Sequence, residues 1–272
     1  MLAEVGWTAY DEQGNLDWVK SLHADEFNHP YYSMRRVWRG FSVVAPSLKL
    51  LPIVSSWDSD YYPLSVRPDK KLTVTDVMSL YRDYYQDTAF DKSASDFAGL
   101  FGSPYHYENE RRTERAILSA KTSFSCIAQV NDTLPAPICW VSMNTAFENP
   151  FVPFAVAKLP AAYDKALRDT YDASKMYWAS AQVMALTQGF WSVMSPTVAE
   201  AVHRSEADSL KLVESSKGLT KNKFVAALNQ NAVKVFDDWK ELYLRLLLKY
   251  DSGAGVTCDE RHLPAPYAPT HY

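Results

Sequence analysis

The chain has 272 residues, of which 47% are hydrophobic, 14% aromatic and 22% charged, a composition that can bury one sizeable core and excludes a disordered chain. Its formal net charge of -4, with basic residues scattered along the sequence, gives no field that would gather nucleic acid. No apolar run approaches the roughly 18 residues of a membrane span, and LYLRLLLKY near the end is interrupted by Arg245.

The first sixty residues read as loop-rich, with Trp7, Tyr10, Trp18, Tyr31, Tyr32, Trp38 and Trp57 spread among prolines and acidic residues, and they are expected to wrap over a core built elsewhere. Arg35, Arg36 and Arg39 around Trp38 are expected to stack or pair internally. In LTVTDVMSLYRDYYQDT, Thr73 can cap a first turn while Asp76, three residues on, reaches back to it. Val77, Leu80, Tyr81 and Tyr84 would then share a helical face. From Asp87 to Asn109 the composition turns to Asp, Ser, Gly and Pro, which favours an ordered surface loop.

The stretch from Asn109 to Asn149 reads as two paired strands. Thr122, Phe124, Cys126, Ala128 and Val130 alternate with Ser123, Ser125, Ile127 and Gln129, so a core strand with its apolar face inward is expected. NDTLPAP halts the ladder before Ile138, Cys139, Trp140, Val141 and Met143 resume it, giving a hairpin with a long turn. Cys126, Cys139 and Cys258 are too few and too irregularly spaced for a disulfide framework or a zinc site. Buried thiols on neighbouring strands are the expectation, weighed against a disulfide between Cys126 and Cys139.

After the hairpin, Asp172 is expected to cap a helix holding Met176, Ala179, Val183 and Leu186. Ser195 followed by Pro196 would open another, running towards Ser216. Phe224, Leu228, Val235, Trp239, Leu242 and Leu246 fall on one stripe of a last helix. Such a stripe can join two copies of a chain, which leaves a homo-oligomer open, but its short length and Gly218 favour a helix covering a sheet. Residues 1–250 are expected to form one unit, with a Gly- and Pro-rich tail at 251–272.

Strands in the middle and helices late predict an α+β fold with helices packed on a sheet. No G-x-S-x-G elbow, Walker loop or H-E-x-x-H helix occurs, and the six histidines lack ligand spacing, so no metal or cofactor is expected.

The order of E-R-A-I at 114 to 117, T-S-F-S at 122 to 125, A-Q-V, L-P, a Trp-bearing strand and F-V-P-F at 151 to 154 resembles the C69 family of dipeptidases, whose relatives include the secernins. RRVWRGF at 35 to 41, APSL at 45 to 48, YPLSVRPDKKLTVTDVMSLYRDYY from 62 to 85, FGSPY at 101 to 105 and SKMYW at 174 to 178 extend the likeness, from about Val5 to about Tyr250. The resemblance implies an N-terminal nucleophile hydrolase, a four-layer sandwich with helices outside two stacked antiparallel sheets. In that class a cysteine at the start of the mature chain attacks an amide, aided by its own amine.

MLAEVGWTAYDEQG offers no such cysteine, so the chain is expected to be the C-terminal portion of the enzyme and inactive alone. Its expected partners are a short peptide substrate and the absent N-terminal half or a companion chain; its compartment, cytoplasmic or exported, would depend on what precedes Met1.

For amide hydrolysis the resemblance singles out Asn149, with Asn144, as an amide that could hold the oxyanion or the substrate. An Asn before Pro150 is equally a turn former. Arg115 fits the family's E-R-x-I pattern and, with Arg112, could clamp a peptide carboxylate, against the reading of a solvated approach to a strand. In PAPICW, Ile138 and Cys139 stand where many relatives have glycine. Two alternatives remain open: a non-catalytic, secernin-like scaffold that binds peptides or a partner, and an amidase of the same superfamily with a non-peptide substrate.

Overall fold

The computed structural model describes residues 4–6, 8–17, 21, 33–52, 62–96, 98–105, 114–130, 132–165 and 169–250. A short ribbon comes first, β1 (Ala9–Tyr10) antiparallel to β2 (Leu16–Asp17). Asp11 closes the turn by accepting from the amides of Gln13 and Asn15, and Gly14 takes the left-handed φ of 81° that the reversal needs.

The loop-rich reading of the first sixty residues misses helix α1 (Met34–Val44). Its N-cap Ser33 makes no side-chain bond and Gly40 lies inside it, so the local signals that announce a helix are absent. Packing holds it: Met34, Val37 and Phe41 gather around Trp38 and Tyr62, and the Trp38 indole donates to Leu50 O at 2.9 Å. Arg35 and Arg39 pair internally as expected, with Glu114 at 2.6 Å and with Asp83 at 2.7 Å.

Helix α2 (Val74–Tyr81) begins on the expected capping box. Asp76 N donates to Thr73 Oγ1 at 3.2 Å, and Thr73 N donates to Asp76 Oδ2 at 2.8 Å. Those bonds from Thr73, aided by Lys70, hold the Asp76 carboxyl far below its ordinary range. The helix ends at Tyr81, before the expected Tyr84.

The main sheet is antiparallel, in the order β3 (Phe124–Gln129), β4 (Ile138–Met143), β5 (Val152–Ala155). The hairpin falls where the alternation put it, but the face of β3 is reversed. Phe124 is 61% exposed, while Ser125 is 6% exposed and turned inward. The partner strand decides this. Ile138, Trp140 and Ser142 of β4 are buried, and the register sets Ser125 opposite Ser142 and Ile127 opposite Trp140. Since side-chain direction alternates with period two, Phe124, Cys126 and Ala128 must then take the opposite face, the one shared with Val141 and Met143, and there they stay exposed.

Helices cover both faces. On one, Ile138, Trp140 and Ala155 pack with Met78 of α2 and with Val213, Phe224 and Leu228. On the other, Val152 and Phe154 pack with Met176, Ala179 and Val183 of α3 (Met176–Gly189) and with residues of the last two helices. Asp172 does not cap α3. It accepts from Ser174 N and Oγ, while Met176 N is satisfied by Ala162 O at 2.8 Å, so the connector's backbone replaces the side-chain cap.

Helix α4 (Trp191–Ser215) starts before the expected Ser195–Pro196 pair and carries Pro196 inside it. Pro196 has no N–H for Ser192 O, which costs about 3 kcal/mol in a helix interior. The burial of Trp191 among Tyr84, Tyr105 and Phe147, and of Met194 in the main core, offsets that cost and extends the helix past the sequence signal. Helix α5 (Lys221–Lys249) matches its stripe, with Phe224, Leu228, Val235, Trp239, Leu242 and Leu246 all 2% exposed or less. The expected tail lies outside the described residues. Among the described residues no helix is long and apolar enough to cross a membrane.

Candidate functional site

The densest polar network is the turn from Asn144 to Phe151 that joins β4 to β5. Asn144 has a left-handed φ of 55°, a conformation that Asn tolerates better than most residues. Its amide holds this geometry by donating to Tyr177 O at 3.1 Å and to Ser180 Oγ of α3 at 2.5 Å. Asn149 Nδ2 donates to Thr145 O at 3.0 Å, and its Oδ1 accepts from the Trp239 indole at 3.0 Å. Ser142 Oγ donates to Asn149 O at 3.0 Å. Both amides are therefore engaged, Asn144 with α3 and Asn149 with the turn and the Trp239 indole, at 4% and 0% exposure.

Between them sits Glu148, fully buried. Its Oε2 accepts from Tyr105 at 2.9 Å and from Thr145, while Oε1 is closed off from solvent without a hydrogen-bond partner. Burial pushes its carboxyl up to about 7, against the lowering effect of the Thr145 and Tyr105 hydroxyls. A carboxyl in that range can hold or release a proton near neutrality.

A second carboxylate fastens the far end of the turn. Glu206 Oε1 accepts from Phe151 N at 2.8 Å and from the Arg82 guanidinium, whose Nε donates to Ala146 O at 2.7 Å. Arg82, the residue closing α2, thus links that helix, the turn and α4.

Sequence reasoning brought Asn144 and Asn149 into one cluster but missed Glu148, Glu206 and Arg82. A signal existed for Glu206, which falls at helical spacing on the stripe of Val198, Val202, Ser209 and Val213 and so had to be buried. Arg115 lies apart from this turn, half-buried, with its carbonyl accepting from the buried Tyr85 hydroxyl at 3.0 Å. Arg112 lies outside the described residues.

Cys126 and Cys139 are free thiols on the face of the sheet shared with Val141 and Phe154, the first exposed and the second half-buried. They are diagonal neighbours, since Cys126 pairs with Val141 and Cys139 with Ala128. Their thiols interact side chain to side chain, yet both remain free. Burial, then the neighbouring Cys126 thiol, pushes the Cys139 thiol up, away from the thiolate that a nucleophile needs. Cys258 lies outside the described residues. Among the described residues, no three His, Cys, Asp or Glu side chains gather as a metal site would require.

An α+β fold built on an antiparallel hairpin, with a buried Asn–Glu–Asn turn at its exit, carries the residues on which the dipeptidase likeness rests. The chain belongs to peptidase family C69, whose description matches residues 8–204. It is similar to a protein of Latilactobacillus sakei named probable dipeptidase, with 23% identity over 175 residues, 63% of this chain and 31% of that protein. The chain thus spans less than a third of the length of the curated relative it matches.

Proposed function

We propose that this chain is scaffold for a C69-type dipeptidase in which the attacking sulfur belongs to a cysteine other than Cys126 and Cys139, carried by a part of the enzyme outside these 272 residues. The observation that carries this reading is the environment of the two described thiols. Cys139 is desolvated beside a second thiol, a setting that disfavours the thiolate, and an uncharged sulfur attacks an amide poorly. In the complete enzyme the three strands belong to one sheet of a four-layer arrangement with helices outside. The nucleophile is an N-terminal cysteine whose own amine takes its proton.

Asn149 and Asn144 are the proposed amide donors to the oxyanion or the substrate amide, and Arg115 and Arg112 the proposed grips for the peptide carboxylate. Either asparagine must release a present partner before it can donate to a substrate oxygen, so its contribution depends on how the complete enzyme arranges this turn. A second reading, a scaffold that binds peptides without cleaving them, draws support from the unblunted edge of β3.

The test is dipeptide hydrolysis by the 272-residue chain and by a version extended to the full length of its relatives. The reading expects turnover only from the extended form, abolished by replacing its N-terminal cysteine. Turnover by the 272-residue chain that is lost in Cys126→Ser or Cys139→Ser would overturn it. Peptide binding without turnover in the extended form would favour the scaffold.

A further inference from the structure

We propose that two copies of this chain pair through the outer edge of β3, antiparallel and about a two-fold axis at Cys126. The backbone gives the first reason. In an antiparallel ladder, residues that exchange hydrogen bonds with the partner strand alternate with residues that do not. Asn144 N donates to Ser123 O at 2.8 Å. Ser123, Ser125, Ile127 and Gln129 therefore turn their N–H and C=O groups towards β4, and Phe124, Cys126 and Ala128 turn theirs away from it. Cys126 O accepts from the Tyr81 hydroxyl at a long 3.4 Å, and a carbonyl oxygen keeps a second lone pair.

The side chains give the second reason. Natural edge strands are blunted by charges, prolines or bulges, and FSCIAQ has none of these. Phe124 is 61% and Val130 79% exposed, and the exposed Cys126 lies between them. This edge is also complementary to itself. With Cys126 facing its counterpart, Phe124 of one copy falls opposite Ala128 of the other, a large side chain against a small one. Lys121 precedes the strand and Asp132 follows it, both exposed. Antiparallel pairing brings the lysine of each copy to the end where the aspartate of the other lies. The three outward residues of each strand would exchange about six backbone hydrogen bonds and make one continuous sheet. The pairing closes the edge, so assembly stops at two. It goes beyond the peptidase reading and competes with the peptide-binding reading for the same edge.

Sedimentation velocity of the 272-residue chain tests this, over about 1 to 100 µM protein to span a contact of modest area. A concentration-dependent dimer is expected. In a Cys139→Ser, Cys258→Ser background, a short bis-maleimide should join two chains through Cys126. Ala128→Lys, which leaves the β4 ladder intact, should return the chain to monomer with an unchanged circular dichroism spectrum. Ala128→Pro, which removes one outward N–H, provides a second disrupting variant. A wild-type monomer at every concentration, open-ended aggregates, or a dimer that survives both Ala128 variants would overturn the proposal. So would Cys126 being shielded by a different polypeptide segment in the extended enzyme, with no dimer formed.

Discussion

Glu148 is held inside the turn by two hydroxyls that reach only one of its oxygens, so its charge has little to solvate it. The consequence is a pH dependence with a definite sign. A carboxyl pushed from 4.5 up to about 7 keeps its proton in the folded chain over a range where the unfolded chain has lost it. Folding is therefore linked to proton uptake, and stability falls as pH rises from the ordinary carboxylate range to about 7. The contribution is on the order of 3 kcal/mol. Melting temperatures between pH 4.5 and 8 should show that decline in the wild-type chain and a flatter profile in Glu148→Gln; equal slopes would contradict the account. Arg82 and Glu206 behave differently, because they meet as a largely buried ion pair with side chains 13% and 8% exposed. Arg82→Met strands the Glu206 carboxylate, and urea unfolding should show a loss of about 3–5 kcal/mol. A loss under about 1 kcal/mol would mean the pair behaves as an exposed one.

At the scale of elements, what could be read in the sequence was whatever local chemistry decides. Thr73 and Asp76 announce α2 because the cap is made within four residues. The α5 stripe is legible because burial along a long helix repeats a pattern. The errors have a common cause in contacts distant along the chain. The face of β3 was set by β4, and the start of α4 by the pocket around Trp191. Helix α1 had no cap to read, and the Glu148 network draws Tyr105 and Trp239 from far along the sequence. That Asn144 and Asn149 flank one turn was legible because both follow the second hairpin strand closely; the buried acid between them needed the fold. Pro196 supplies an element-scale prediction. Pro196→Ala gives α4 an N–H for Ser192 O, and thermal unfolding should show a gain of roughly 1–3 kcal/mol. No gain would mean that the helix has adapted to the proline with no penalty left to relieve.

For the molecule as a whole, the main sheet is small for its surroundings: among the described residues it has three strands, helices grip it at β5, and no strand pairs with the outer edge of β3. The chain carries the matched region of a peptidase family, a buried polar turn at the exit of the central strand, and two thiols placed away from that turn. The proposed role, a scaffold that orients a peptide and does not cut it unaided, rests on these three features. Direct comparison of dipeptide hydrolysis by the purified 272-residue chain and by its Cys126→Ser and Cys139→Ser variants tests that claim most plainly. The account predicts no turnover from any of the three; turnover by the wild-type chain that disappears in either variant would contradict it.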